Sequence, residues 1–137
     1  MSYLSQIPLT DVREFLRLND NSNDNIITLM LANACNMFER KTNHLIFQRS
    51  FDYKQCDRIY DYPISDVTNL EKKANYYIAN EDVTLTIGYA QDELPGEIKT
   101  VILTMVESQF YANEDEGVTN YPPIVNDSIQ SFKRFYL

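Results

Sequence analysis

The side chains able to do chemistry in this sequence are few and do not converge. His44 is the one histidine, and no serine or cysteine stands at a spacing that marks it as the base of a nucleophilic pair. Asp20-Asn21-Ser22-Asn23-Asp24 opens like a calcium loop, yet such a loop needs glycine at its sixth position and a bidentate glutamate at its twelfth, where Asn25 and Leu31 stand. It reads as a turn and helix cap. Glu107, Glu114, Asp115 and Glu116 supply carboxylates of the kind a two-metal nuclease uses, but three of them are adjacent and point in different directions. Cys35 and Cys56 are far apart and outside any CxxC spacing, which argues against a metal site or a disulfide framework and for two reduced, partly buried thiols. No catalytic, metal or cofactor residue is expected, and the chain reads as a non-enzyme.

Charge distribution narrows the partners. Residues 1–60 carry seven acids and seven bases, leaving thirteen of the twenty acids and five of the twelve bases for the rest, so the whole net charge of −8 resides in the second part. Counterion release at phosphates needs clustered Lys and Arg, so tight binding to a nucleic-acid backbone is disfavoured. A surface past which DNA slides is compatible with this charge. No window approaches the run of about 18 apolar residues that a membrane span needs, and Met1 to Gln6 lacks the basic-then-apolar pattern of a secretory leader. The expected product is soluble and made in the cytoplasm.

The elements follow from periodicity. With 137 residues, 44% of them apolar, the chain suits one domain, 1–137, with a modest core. Thr10 is placed to cap a first helix whose Val12, Phe15 and Leu16 share a face. The polar run Asn19 to Asp24 stops it, and Ser22 or Asn23 can cap a second helix in which Ile27, Met30, Leu31, Ala34 and Phe38 form a stripe. Arg40 and Lys41 suit its C-terminal end, and Asn43 can close it in a left-handed conformation. His44 should then lie at the exposed end of that helix. Short β-like runs follow at Leu45 to Tyr53, Val67 to Leu70, Tyr76 to Ala79 and Val83 to Tyr89. Leu94-Pro95 opens a third helix at its first position, with Ile98, Val101, Ile102, Met105, Val106 and Phe110 as a wide apolar face. Glu114-Asp115-Glu116-Gly117 ends it, Tyr121-Pro122-Pro123 is a stiff connection, and 123–137 is a tail or short helix capped near Asn126 or Asp127. The fold class is therefore α+β: a small bundle of three to four helices, with a β-hairpin or small antiparallel sheet inserted between the second and third.

The order of these elements, with several local motifs, resembles the head-tail connector (adaptor) family of tailed double-stranded DNA phages over nearly the whole chain. The residues that carry the resemblance are Glu14-Phe15-Leu16-Arg17-Leu18 and the Thr42-Asn43 step. Tyr62-Pro63-Ile64-Ser65-Asp66-Val67 is similar to the family's Leu-Pro-x-Pro-Val-x-x-Val strand, and Thr86-Ile87-Gly88-Tyr89 to its Thr-Ala-Gly-Tyr step. Leu94-Pro95 then leads the helix ending Gln109-Phe110-Tyr111-Ala112-Asn113. Three departures stand out: Glu114 where the family often has arginine, which leaves that residue's ion pair open; Asn43 for the usual glycine; and Ile87 for alanine beside Gly88.

The resemblance implies a homo-oligomeric ring of about a dozen copies in the neck of the virion. Such a ring docks beneath the portal protein, meets a tail-side completion or stopper protein below, and passes double-stranded DNA without binding it specifically. Portal docking is expected from Phe132, Arg134, Phe135, Tyr136 and Leu137, a terminal aromatic cluster that a small domain would otherwise expose. An alternative is that Phe132 and Phe135 pack back on the third helix. Glu114, Asp115 and Glu116 are candidates to line the DNA channel, the alternative being an ordinary solvated face. The ten tyrosines serve either subunit interfaces or strand and core edges. The competing reading of the whole chain is a tail-completion protein, or a cytosolic interaction module that forms no ring.

Overall fold

Two apolar stripes at helical spacing dictate the centre of the molecule. The computed structural model describes residues 2–112 and 121–133. Within them α1 (Tyr3–Gln6), α2 (Leu9–Leu16) and α3 (Asp24–Thr42) lead, strands β1 (Arg49–Tyr53), β2 (Arg58–Ile59), β3 (Leu70–Lys72), β4 (Tyr77–Ala79) and β5 (Val83–Ile87) follow, and α4 (Gly96–Phe110) and α5 (Pro123–Phe132) close the order. The α+β class is as the periodicity predicts. Ile27, Leu31, Ala34, Cys35 and Phe38 of α3 are buried against Ile98, Ile102, Met105 and Val106 of α4, and Val125 and Ile129 of α5 join the same core. Each of the larger side chains among them, once removed from water, contributes about 1.5–3 kcal/mol.

Helix ends obey local chemistry, with some shifts from expectation. Asn43 adopts φ +61 and its N–H bonds to Glu39 O at 2.9 Å, so asparagine closes the helix in the left-handed conformation expected of it. Asn23 holds the N-cap position of α3 without a side-chain bond. Ser22 instead turns inward on the loop, its N–H and hydroxyl both bonding Asp20 Oδ1 at 3.0 and 2.6 Å. Thr10 does not cap α2. Pro8 precedes Leu9 in extended conformation (φ −63, ψ 152), and because proline has no N–H to satisfy, the helix begins earlier and Thr10 falls inside it. Pro95 and Pro122 play the same part for α4 and α5, so Pro95 sits one residue before the helix, and Asn126 and Asp127 are interior positions instead of caps.

The middle of the chain forms two small antiparallel sheets, where a single hairpin or sheet was expected. β1 pairs with β5 from Arg49 opposite Ile87 to Tyr53 opposite Val83, and the other sheet has the order β2-β4-β3. The run expected at Val67 to Leu70 is strand only from Leu70, because the preceding segment does different work. The Tyr62–Pro63 bond is cis, and the chain there bridges two elements: Leu45 N–H bonds Tyr62 O at 2.8 Å and Gly88 N–H bonds Pro63 O at 2.8 Å. Gly88 has φ +124, and a Cβ there would lie 2.1 Å from Phe47 O, so backbone fills the space that any other residue would claim.

Candidate functional site

A buried carboxylate organises the junction between helices and strands. Glu39, one step round α3 from the apolar stripe, is 8% exposed. Its Oε2 accepts the N–H of Ile46 at 2.8 Å and pairs with the Arg49 guanidinium, and its Oε1 accepts the Tyr3 hydroxyl at 2.7 Å. Charge-assisted bonds of this kind are roughly twice as strong as neutral ones. Arg49 in turn stacks on Phe47, 4.0 Å from the ring centroid. Burial and then the bond to Glu39 push the Tyr3 hydroxyl's pKa up, so it remains a donor. Half-buried Asp61 is raised too, first by burial and then by the Glu39 charge. α1 is fixed a second time through Gln6, whose amide nitrogen lies 3.0 Å from Ile46 O and 2.9 Å from both Tyr89 O and Ala90 O. Neither α1 nor this hub is visible in the periodicity; a charged residue four positions after Cys35, at the margin of the α3 stripe, is the one signal that marks it.

Two of the surface recesses adjoin the hub and the closing helices. A cleft of about 960 Å³ lies beside the hub, walled by Asn33, Asn36 and Arg40 of α3 together with Arg49, Asp61 and Gln109. The second is a groove of about 440 Å³ between α4 and α5, floored by Thr100, Val101, Thr104, Val125 and Ser128 and edged by Ile124. Its lining is mostly apolar.

The structure gathers some of the sequence-nominated residues and separates others. His44 is buried, at 7% exposure, and not at an exposed helix end: the left-handed Asn43 turns the chain inward, and the imidazole packs among Phe38, Tyr62, Tyr89 and Phe132, with Nδ1 2.8 Å from Tyr89 Oη. Phe132 meets Phe38 edge-on at 5.9 Å and edges the α4–α5 groove, so its ring is shared between core and surface. Arg134, Phe135, Tyr136 and Leu137, and the acids Glu114, Asp115 and Glu116, lie outside the described residues. Cys35 is buried, with its thiol pKa pushed up by burial, whereas Cys56 is exposed in a turn and not partly buried. The calcium-like segment is a turn, and its Asp24 pairs with Arg13 at 2.8 Å. Among the described residues, no three His, Cys, Asp or Glu side chains approach closely enough to hold a metal, and no helix is long and apolar enough to cross a membrane.

What the geometry defines is a small α+β scaffold with surface recesses. No protein-family model matches the sequence, and no curated protein matches it. Solved structures do match the fold. A chain from the neck of an empty gene transfer agent particle, computed with C6 symmetry, superposes with a TM-score of 0.75 at 15% identity, over 100% of this chain and 94% of its own length. A chain from the virion of a native gene transfer agent particle gives 0.68 at 13% identity, over 95% and 90%. At these identities the likeness is one of fold.

Proposed function

We propose that this chain is a structural neck protein of a tailed-phage or phage-like particle, acting as the adaptor between portal and tail. The observation that carries the reading is the end-to-end match to a neck chain, 100% of this protein against 94% of the other. The order of motifs that resembles the head-tail connectors points the same way.

The finer assignments extend that reading. Copies of the chain close into a ring of about a dozen, which a sixfold axis like that of the matching neck accommodates. The ring docks beneath the portal protein through the segment from Phe132 to Leu137, meets a tail-side stopper or completion protein on its other face, and surrounds passing double-stranded DNA. Glu114, Asp115 and Glu116 face that channel, where like charge keeps DNA moving. The ring belongs to the neck of the virion and is built in the host cytoplasm. Negative-stain imaging of the purified protein mixed with the portal of the same particle tests the proposal: the expected images show portals carrying an added ring, lost on deletion of residues 133–137. Bare portals beside a monomer would favour the interaction module without ring formation.

A further inference from the structure

Large apolar side chains standing exposed on a helix are few among the described residues: Ile26 at 51% and Leu29 at 57% on α3, and Ile124 at 68% on α5. Ile26 and Leu29 are three positions apart, and at about 100° per residue Leu29 falls opposite Ile27, Leu31, Ala34 and Phe38 while Ile26 stands on the adjoining flank. They therefore make a short ridge that nothing among the described residues covers. The groove between α4 and α5 is the complementary shape: Thr100, Thr104 and Ser128 keep its floor low, and Val101 and Ile124 make it apolar. A ridge at i, i+3 entering an apolar trough is how amphipathic helices dock in grooves.

Charge on the two surfaces is complementary as well. The outer side of α3 continues through Asn33, Asn36 and Arg40, with Lys41 beside it. Its two acids are already committed, Asp24 to Arg13 and Glu39 to Arg49. The groove carries one charged lining residue, Glu97, and belongs to the acidic part of the chain. With Leu29 seated over Thr104, Glu97 lies seven residues back along α4, about 10 Å away, opposite Asn36 and one turn short of Arg40.

We propose that the α3 ridge of one copy, Ile26 and Leu29, seats in the α4–α5 groove of the next copy, with the long Arg40 side chain reaching back one turn to Glu97 across the contact. The two patches differ, so the contact is heterologous, and repetition about an axis closes it into a ring without leaving a face unpaired. This inference rests on the ring reading above and names the surfaces that build the ring.

Cross-linking in assembled particles tests it. Leu29→Cys and Thr104→Cys are combined on a Cys56→Ser background, which removes the exposed native thiol. Oxidation should yield a ladder of cross-linked multimers, absent from either single-cysteine chain. Leu29→Asp should leave the purified chain folded by circular dichroism while lowering its incorporation into particles at least tenfold. An Arg40→Glu chain should likewise lose incorporation and recover it when Glu97→Arg is added. Rings that form normally with Leu29→Asp and give no ladder would overturn this interface while leaving the ring reading intact. Wild-type chains that never form a ring would overturn both.

Discussion

The helical and stranded parts of the molecule are held together by different physics. The core shared by α2, α3, α4 and α5, with Ile7 and Ile46 from the adjoining segments, brings together seventeen buried apolar residues among those described, whereas the sheets close over five: Leu45, Ile59, Ala79, Leu85 and Ile87. Strands of two to five residues with exposed outer edges have little area to bury. They are kept in place by polar connections: the Glu39 hub, the Asp52–Thr84 pair, and the backbone bonds of the 62–65 segment. A bundle rich in apolar contacts can serve as the rigid body of an assembly.

Substitutions can break this contrast, beginning with the one of largest expected effect. Phe38→Ala removes a ring in contact with His44 and Phe132 at the centre of the bundle, and should cost about 3–5 kcal/mol. Denaturant unfolding followed by circular dichroism should show the loss in one cooperative transition; a loss under 1 kcal/mol would mean that the bundle core is not what holds the fold. Glu39→Ala leaves the Ile46 N–H and the Arg49 guanidinium without their acceptor, at a cost of about 2–3 kcal/mol. Hydrogen exchange should locate that loss, with β1 and β5 amides exposed while those of α3 and α4 stay protected. Equal loss in both regions would merge what is here described as two.

Asp61 gives a smaller, pH-dependent effect. Its folded pKa is raised, so the folded state holds the proton more tightly than the unfolded chain. The ionised carboxylate thus opposes folding above the raised pKa, and the opposition fades as pH falls through it. Asp61→Asn should be more stable than wild type at pH 7 and lose that advantage towards pH 4, read as the difference in denaturation midpoints; an advantage that grows on acidification would contradict the assignment. The smallest effect is that of Thr84→Ala, which deletes a 2.5 Å cross-strand bond to Asp52 on an exposed face and should cost about 0.2–1 kcal/mol. A larger loss would mean that the outer face of the sheet carries more of the fold than its exposure implies.

The same contrast governs what could be read from the residues. Helices α3 and α4 are legible because most of the seven buried positions of α3 and the six of α4 repeat at 3.6-residue spacing, a signal that tertiary contacts reinforce. The strands were blurred, since Tyr62 to Ser65 bonds to two neighbours from a segment with no alternation, and the two-residue β2 is too short to have a period. α1 escaped notice because four residues carry no stripe; it is held through Tyr3 and Gln6, whose partners lie as far away as Glu39 and Ala90. His44 is expected at an exposed helix end for a related reason: Asn43 marks a left-handed turn, but not the direction in which that turn sends the next residue. Of the surfaces proposed for assembly, the exposed α3 ridge is visible as apolar residues off the stripe. The groove is not, because it exists only once α5 lies on α4.

Reconstruction of the neck of particles that contain this chain, by cryo-electron microscopy, tests the central claim most directly. The account predicts copies of the chain related by a rotation axis in a closed ring at the head–tail junction, with the DNA channel through its centre. A neck without the chain, or a single copy bound elsewhere on the particle, would contradict it.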